Sequence, residues 1–442
     1  MTTANKTPHV VIIGAGFCGL AAGYELSKRG VSVTIFERES EIGGLAGSFR
    51  TTSGARLEKF YHHWFTSDKH VQALIDELGT RDQVIFQPTR TGMYYANSFF
   101  KLSTPLDVLR FKPLSVFDRF RLGLLALRAR RIRNWRELEN LTAAEWLRQM
   151  GGNRVYEVVW EPLLRGKFGD YASDVSAVWF WNKLKLRGGS RGKGGEEQLA
   201  YYRGGFAALA DQIAARIESA GGRLLTHKLI TALLVDKGRV TGVEADGKSY
   251  QADAVIATSA LPIIADLVES HVSADYVEEL RRIKYLANVC LVLELDRSLS
   301  KTYWLNVNDP TFPFVAVIEH TNFEPKESYG GRVIVYLSKY LTESAALFRM
   351  EGNELLNYTI PHIQAMFPDF DRNWIIDHHV WRARYSQPVV EKRYSELVVR
   401  HESPLEGFFI ATMAQIYPED RGTNYAICEG RKVGELVTTF LG

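Results

Sequence analysis

The chain has 442 residues, 46% of them apolar and 24% charged, with a formal net charge of +3. That length leaves room for two or three domains, and so small a net charge gives no support to a nucleic-acid partner, which is not expected. Cys18, Cys290 and Cys428 are few, odd in number and widely spaced, which argues against a disulfide framework and for a reducing compartment. The start, Met1–His9, is short and polar, unlike a secretory signal. No run approaches the roughly 20 apolar residues that span a bilayer, so a cytoplasmic-side protein is expected.

The first element is a buried strand, Val10-Val11-Ile12-Ile13, running straight into Gly14-Ala15-Gly16-Phe17-Cys18-Gly19 and a small-residue helix. A second strand, Val31–Phe36, closes on Glu37. A strand, a glycine turn, a helix and a strand ending in an acid is the arrangement that holds an ADP moiety. The first glycine permits the tight turn, the second lets the backbone approach the pyrophosphate, and the third lets helix and strand pack closely. The helix N-terminus then faces the phosphates. Glu37 is placed to accept the ribose hydroxyls, and it would repel a 2′-phosphate that Arg38 would otherwise invite. Next comes Gly43-Gly44-Leu45-Ala46-Gly47. A second glycine pair lets another backbone segment lie against the dinucleotide, a contact that NAD-binding units normally lack; the competing reading is an ordinary surface turn.

Tyr61-His62-His63-Trp64-Phe65 follows, read either as a proton-handling site or as an aromatic cluster with two satisfied histidines. No metal is expected at these histidines or at His378 and His379, because adjacent strand residues point to opposite faces and no carboxylate sits at ligand spacing. From Lys101 to Arg136, ten basic residues stand against only Asp107 and Asp118, a local charge of +8, interleaved with Leu102, Leu106, Leu109, Phe117, Phe120, Leu124, Leu125 and Leu127. This is either a basic amphipathic helix lying on an anionic membrane or a solvated face whose arginine stems cover the core. Residues 183–195 form a basic glycine-rich loop, either a phosphate clamp or a connector. Residues 201–258 read as a helix to about Ala220 and then strands at Arg223–Thr226, Ile230–Val235, Val240–Ala245 and Ala254–Thr258. Strand signals recur at Val289–Leu295, Phe314–Glu319 and Arg332–Leu337, with a helical stretch near 341–366. Trp381–Tyr385 alternates so that Arg382 and Arg384 share one face, fit either for an anion or for a solvent-facing edge. A short strand, Gly407–Thr412, a loop and a small-residue helix, Asn424–Leu441, end the chain.

The second glycine tract resembles that of the FAD-dependent amine oxidase, protoporphyrinogen oxidase and phytoene desaturase superfamily. The resemblance returns at residues 201–260 and again at the C-terminus. It implies noncovalent FAD in contact with Gly14, Gly16, Phe17, Cys18, Gly19, Glu37, Arg38, Gly43, Gly44, Leu45 and Ala46. Ile230 would stand where the backbone meets the adenine, and Gly422, Thr423 and Asn424 would stand at the flavin end. It also implies a fold class, α/β: a discontinuous Rossmann-like FAD-binding domain (1–84, 201–261 and 401–442) carrying an inserted α+β substrate domain (85–200 and 262–400). The chain departs from the family at Leu45, where an arginine is common, and at Thr412-Met413-Ala414, where an acid usually follows the last strand. Asp420 or Asn424 are the candidate substitutes. The Trp160–Gly169 tract resembles the superfamily segment that enters the substrate cavity, and Trp179, Phe180, Trp181, Tyr201, Tyr202 and Trp304 are candidate lining residues. The His63 tract is similar to one at the flavin face of UDP-galactopyranose mutases.

Three activities follow as expectations. The leading one is an FAD-dependent oxidoreductase passing a hydride between flavin and a small or lipid-linked substrate, apolar or anionic, taken up on the inner face of a membrane. The others are a flavin-dependent sugar-nucleotide isomerase, with His63 as the catalytic candidate, and a flavoprotein whose cofactor is structural.

Overall fold

The computed structural model describes residues 7–101, 105–190 and 197–442. Leu102 and residues 191–195, with Arg191 and Lys193, lie outside the described residues; residues 183–189, expected to begin a loop, are instead the last two turns of helix Ala177–Gly189.

Five parallel strands run in the order Arg223–Leu225, Ser32–Phe36, His9–Ile13, Ala254–Ala257, Phe408–Ile410. A parallel sheet is covered on both faces, which is why its strands read as unbroken apolar runs. Val10 and Ile12 face a layer made by the helices Phe17–Lys28, Gly205–Ser219 and Thr423–Leu441. Val11 and Phe36 face the antiparallel meander Ile230–Asp236, Arg239–Ala245, Lys248–Gln251. Helix Phe17–Lys28 lies directly on Thr423–Leu441. A Cβ on Gly430 would stand 2.2 Å from the Cys18 carbonyl oxygen, so the two helices touch backbone to backbone.

A second, seven-stranded sheet has the order Ile375–Pro388, Tyr285–Leu295, Val333–Leu341, Ala316–Glu319, Trp304–Val307, Thr91–Tyr95, Ser98–Lys101. Helix Gly352–Met366 buries Leu355, Leu356, Ile360 and Ile363 against Leu291, Leu293 and Val335 on its outer face. The alternate residues Cys290, Val292, Ile334 and Tyr336 face the first sheet's side. The period of two along Tyr285–Leu295 thus partitions one strand between two cores. The three strands expected in this region are present and run to Tyr285 and Leu341, but Trp304–Val307 carried no recognised signal, being only four residues long.

Residues 85–200 are helical, as expected, over Val116–Arg131, Ala143–Gly151, Glu161–Phe168 and Ala177–Gly189. They also supply a few strand residues: Val84–Pro88 and Gln198–Tyr202 pair, with Trp64–Phe65 on the other side of the latter. These pairings join residues more than a hundred positions apart and leave no local alternation to read. No helix among the described residues is long and apolar enough to cross a membrane.

The Gly430 contact makes a direct test. Gly430→Leu should cost about 1–3 kcal/mol in urea unfolding, as overpacking does at a closed interface. Gly123→Ala, on helix Val116–Arg131 with nothing within 4 Å of the added carbon, should be neutral or stabilise by about 0.5–1 kcal/mol.

Candidate functional site

The two glycine tracts meet at the C-terminal edge of the parallel sheet. Gly14 has φ +103°, and a Cβ there would lie 2.7 Å from Thr258 Oγ1. Gly43 N–H donates to Ala15 O at 2.8 Å, and a Cβ on Gly44 would come within 3.1 Å of Gly16 Cα. Side chains here would collide with Thr258 and with the facing tract, so glycine lets the two tracts close on each other and keeps their backbone bare beside the helix N-terminus, which fits a dinucleotide. The N–H groups of Phe17, Cys18 and Gly19 open the helix without a capping side chain. Glu37 is buried; its carboxylate accepts from Ala15 N–H at 2.9 Å and Glu39 N–H at 3.0 Å, which holds it over the glycine turn. Lys228 N–H donates to Glu37 O at 2.8 Å, bringing Ile230 to the same edge.

Some side chains of this set turn elsewhere. Phe17 packs edge-on against Phe206, and Cys18 Sγ donates to Ala411 O at 3.3 Å, with burial, Glu429 and Cys428 pushing its thiol pKa up. Arg38 is exposed and pairs with Glu39 at 3.1 Å. Leu45 reaches the cavity described next, whereas Ala46 is buried behind it.

Beyond the glycine loops lies a cavity of about 320 Å³, bounded by the seven-stranded sheet, residues 60–65, the helical segment and the start of the last helix. Gly422, Thr423, Asn424 and Tyr425, the uncapped start of the last helix, enter from one side. Asn288, Ser338, Tyr340 and Ser386 come from the seven-stranded sheet, and Trp160, Lys167, Trp179, Phe180 and Lys183 from the helices. Trp160 ends a π-helical turn, Tyr156–Trp160, a distortion that aims one side chain off the helical register. Of the other aromatic candidates, Trp304 lines this cavity, but Trp181, Tyr201 and Tyr202 are buried in the core instead.

Both histidines line it, because residues 59–63 precede the strand and escape its alternation. His62 Nδ1 donates to Phe60 O at 2.6 Å, and burial pushes its pKa down to about 4, so near neutral pH it is an uncharged ring with Nε2 as acceptor. His63 Nδ1 lies 2.9 Å from the Tyr303 hydroxyl, its ring edge-on to Trp304.

Asp420, one of the two candidate substitutes for the missing acid, lines the cavity. Its carboxylate accepts from Trp179 Nε1–H at 2.7 Å and forms an ion pair with Lys183. Burial alone would raise its pKa, but the charges of Lys183, Lys167 and Arg421 hold it well below the carboxylate range. Half-buried Arg421 donates to Gln387 at 2.9 Å and to Tyr340 Oη at 2.7 Å. Asn424, the other candidate, has its amide oxygen committed to His70 and Val71 N–H at 2.9 and 3.1 Å, and Thr423 Oγ1 accepts from Trp64 Nε1–H at 2.7 Å. At the usual acid's place, Thr412 and Gln415 form a capping box.

Of the two readings of Arg382 and Arg384, the edge strand is the one found: Arg382 ties to the Phe348 and Met350 carbonyls and Arg384 to Glu343 at 2.6 Å, so they brace a connection rather than clamp an anion. One reading needs correcting: His379 does meet carboxylates, lying 3.1 Å from Glu294 and 3.6 Å from Asp377, because the neighbouring strand supplies Glu294. Glu294 already accepts from Thr52 N–H at 3.0 Å. Glu58 was missed altogether. Fully buried, it accepts from Tyr201 Oη–H at 2.7 Å and Phe206 N–H at 2.6 Å, joining tracts 150 residues apart, with no local signature.

The chain matches the family of flavin-containing amine oxidoreductases over residues 17–427, and it belongs to that family. It is an FAD-containing oxidoreductase. The 15-cis-phytoene desaturase of Narcissus pseudonarcissus is 22% identical over 436 residues, which cover 92% of this chain and 75% of the desaturase. Mitochondrial protoporphyrinogen oxidase of Nicotiana tabacum is 31% identical over 123 residues, 27% of this chain and 24% of the oxidase. The structure of a reduced UDP-galactopyranose mutase superposes with a TM-score of 0.76 at 16% identity, covering 98% of this chain and 96% of the mutase, a likeness of fold alone.

Asp420→Asn keeps the shape and the Trp179 hydrogen bond but leaves Lys183 and Arg421 without their carboxylate. It should destabilise the protein by about 3 kcal/mol at pH 7. A depressed carboxyl pKa stabilises the fold above its ordinary value of 3.8, so the gap between wild type and variant should stay constant above that pH and shrink below it. Denaturation curves across the pH range measure this.

Proposed function

We propose that this flavoenzyme passes a hydride between the flavin and a carbon of a substrate held in the aromatic-walled cavity, the substrate having an apolar body and an anionic group. The observation that carries this reading is the wall itself: Trp160, Trp179, Phe180 and Trp304 beside the fixed cations Lys167, Lys183 and Arg421. Aromatic faces hold an apolar body, and cations already ordered by Asp420 and Tyr340 meet an anion with little reorganisation.

Gly14, Gly16, Gly19, Gly43, Gly44 and Glu37 are assigned to the ADP half of FAD, with Ile230 against the adenine. Gly422, Thr423 and Asn424 offer backbone N–H groups to the flavin's electron-rich edge. The bound cofactor supplies hydride acceptance and donation at N5. His62, uncharged and anchored by its Nδ1–H, offers Nε2 as an acceptor, and His63, oriented by Tyr303, is the candidate for moving a proton. The cavity walls exclude water from the reacting carbon.

A second reading is a flavin-dependent sugar-nucleotide isomerase, favoured by His63 in the cavity and by the likeness of fold to the mutase. Anaerobic mixing with candidate substrates separates the two. Bleaching of the yellow protein supports the oxidoreductase; turnover only after pre-reduction supports the isomerase; a colourless preparation that refuses FAD overturns both. His63→Ala should keep its flavin spectrum and lose roughly 100-fold in kcat/KM. Rapid stoichiometric bleaching by NADH or NADPH would contradict the assignment of the single strand–GxGxxG–helix unit to FAD.

A further inference from the structure

Helix Val116–Arg131 has two apolar stripes on opposite sides. Leu122, Leu125 and Ala129 are buried and face the helices behind. Phe117, Phe120, Leu124 and Leu127, spaced three, four and three residues apart, form the other stripe and point to solvent. Leu106 and Leu109 from helix Pro105–Leu109 and Val116 extend it, and all seven side chains are between 43% and 65% exposed. Arg119 ties the two helices into one tip, donating to the Leu109 carbonyl at 2.8 Å and the Leu114 carbonyl at 2.9 Å. Scattered exposed leucines are ordinary; a stripe of this length on one helix is not.

The charges around the stripe are predominantly positive, against Asp107 on helix Pro105–Leu109 and Asp118. By helical position, Arg121 and Arg128 flank it on one side and Arg119 and Arg130 on the other, with Arg131 at its end. Arg110, Lys112, Arg133 and Arg136 are exposed nearby. Arg121 lies over the Phe117 ring at 4.3 Å, so its cation rides on the apolar stripe. Asp118, the acid on this helix, is folded back: its carboxylate accepts from Ser115 Oγ–H at 2.7 Å, and its side chain is only 13% exposed.

We propose that this tip docks on an anionic bilayer, the phenylalanines and leucines sinking to the acyl boundary while the arginines meet lipid phosphates. A protein partner would have to present an apolar groove rimmed with acid all round the helix; a bilayer of anionic lipid offers that chemistry everywhere. The tip sits one helix layer from the cavity. Trp181 Nε1–H donates to the Ala129 carbonyl at 2.8 Å, and the same helix, Ala177–Gly189, carries Trp179, Phe180 and Lys183 into the cavity. Docking would therefore bring the site to the membrane surface without inserting it.

Flotation of the full FAD-loaded chain with vesicles tests this. Binding should be strong with phosphatidylglycerol–phosphatidylcholine vesicles at low salt, fall at high salt, and be weak with phosphatidylcholine alone. Phe117→Ser/Phe120→Ser/Leu124→Ser alters exposed side chains only, and Arg128→Glu/Arg130→Glu/Arg131→Glu alters charge only; each should lower binding at least roughly tenfold while leaving the flavin spectrum and thermal midpoint unchanged. The proposal is overturned if wild type ignores anionic vesicles at low salt, if the apolar variant floats like wild type, or if that variant merely converts a dimer to a monomer in light scattering, which would make the stripe an interface between copies. Substrate bleaching in detergent-free solution is measured separately, so failure to dock and failure of the hydride reading remain distinct.

Discussion

The structure depends on the contact between its first and last helices. Where Gly430 meets the Cys18 carbonyl, no side chain separates the two backbones. The helix that opens at the first glycine turn is thereby locked beside the one that opens at Gly422. Both start at the same edge of the parallel sheet, so both N-termini present unsatisfied N–H groups along a groove at that edge. A chain whose two ends are held this closely can carry long excursions between them, because loop-closure cost rises only with the logarithm of length.

Those excursions make the cavity. Helices from 116–189 and strands from 285–388 close over the groove, and buried polar groups fix where they sit. Glu58 joins the Tyr201 hydroxyl and the Phe206 N–H, while its backbone carbonyl accepts from Tyr336 Oη–H at 2.8 Å, so one residue links the glycine-motif side to the second sheet. Asp420 does the same for the helices, through Trp179 and Lys183. Half-satisfied, either group would cost more than it contributes, which forces the pieces into a single arrangement. The same rigidity leaves the cations at the cavity ordered before any ligand arrives.

Legibility followed how local the physics was. The glycine turn, the second glycine pair and the last strand-to-helix unit were readable because each is a few consecutive residues whose backbone geometry demands those residue types. The 61–65 tract was half-readable. Its histidines stood out by type, but strand alternation wrongly set them on opposite faces, since the strand begins only at Trp64. The basic stretch was recognised as apolar and cationic, yet it was framed as a choice between a membrane face and a core-covering face. The helix has an apolar stripe on each side, and two stripes in opposition look like no stripe at all along the sequence.

By itself the sequence determined the α/β class and a dinucleotide site, because short-range steric demands and their spacing carry that information, and the resemblance of its glycine tracts to a known superfamily implied the flavin and the family. Tertiary structure alone decided which side chains share the cavity. It put Asp420 between Trp179 and Lys183, committed Asn424 to a neighbouring helix, and sent Arg382 and Arg384 to an outer edge. The physical reason is the same in each case. A charge or an amide finds its partner by distance in space, and nothing in the sequence near position 420 says that residue 183 will stand beside it.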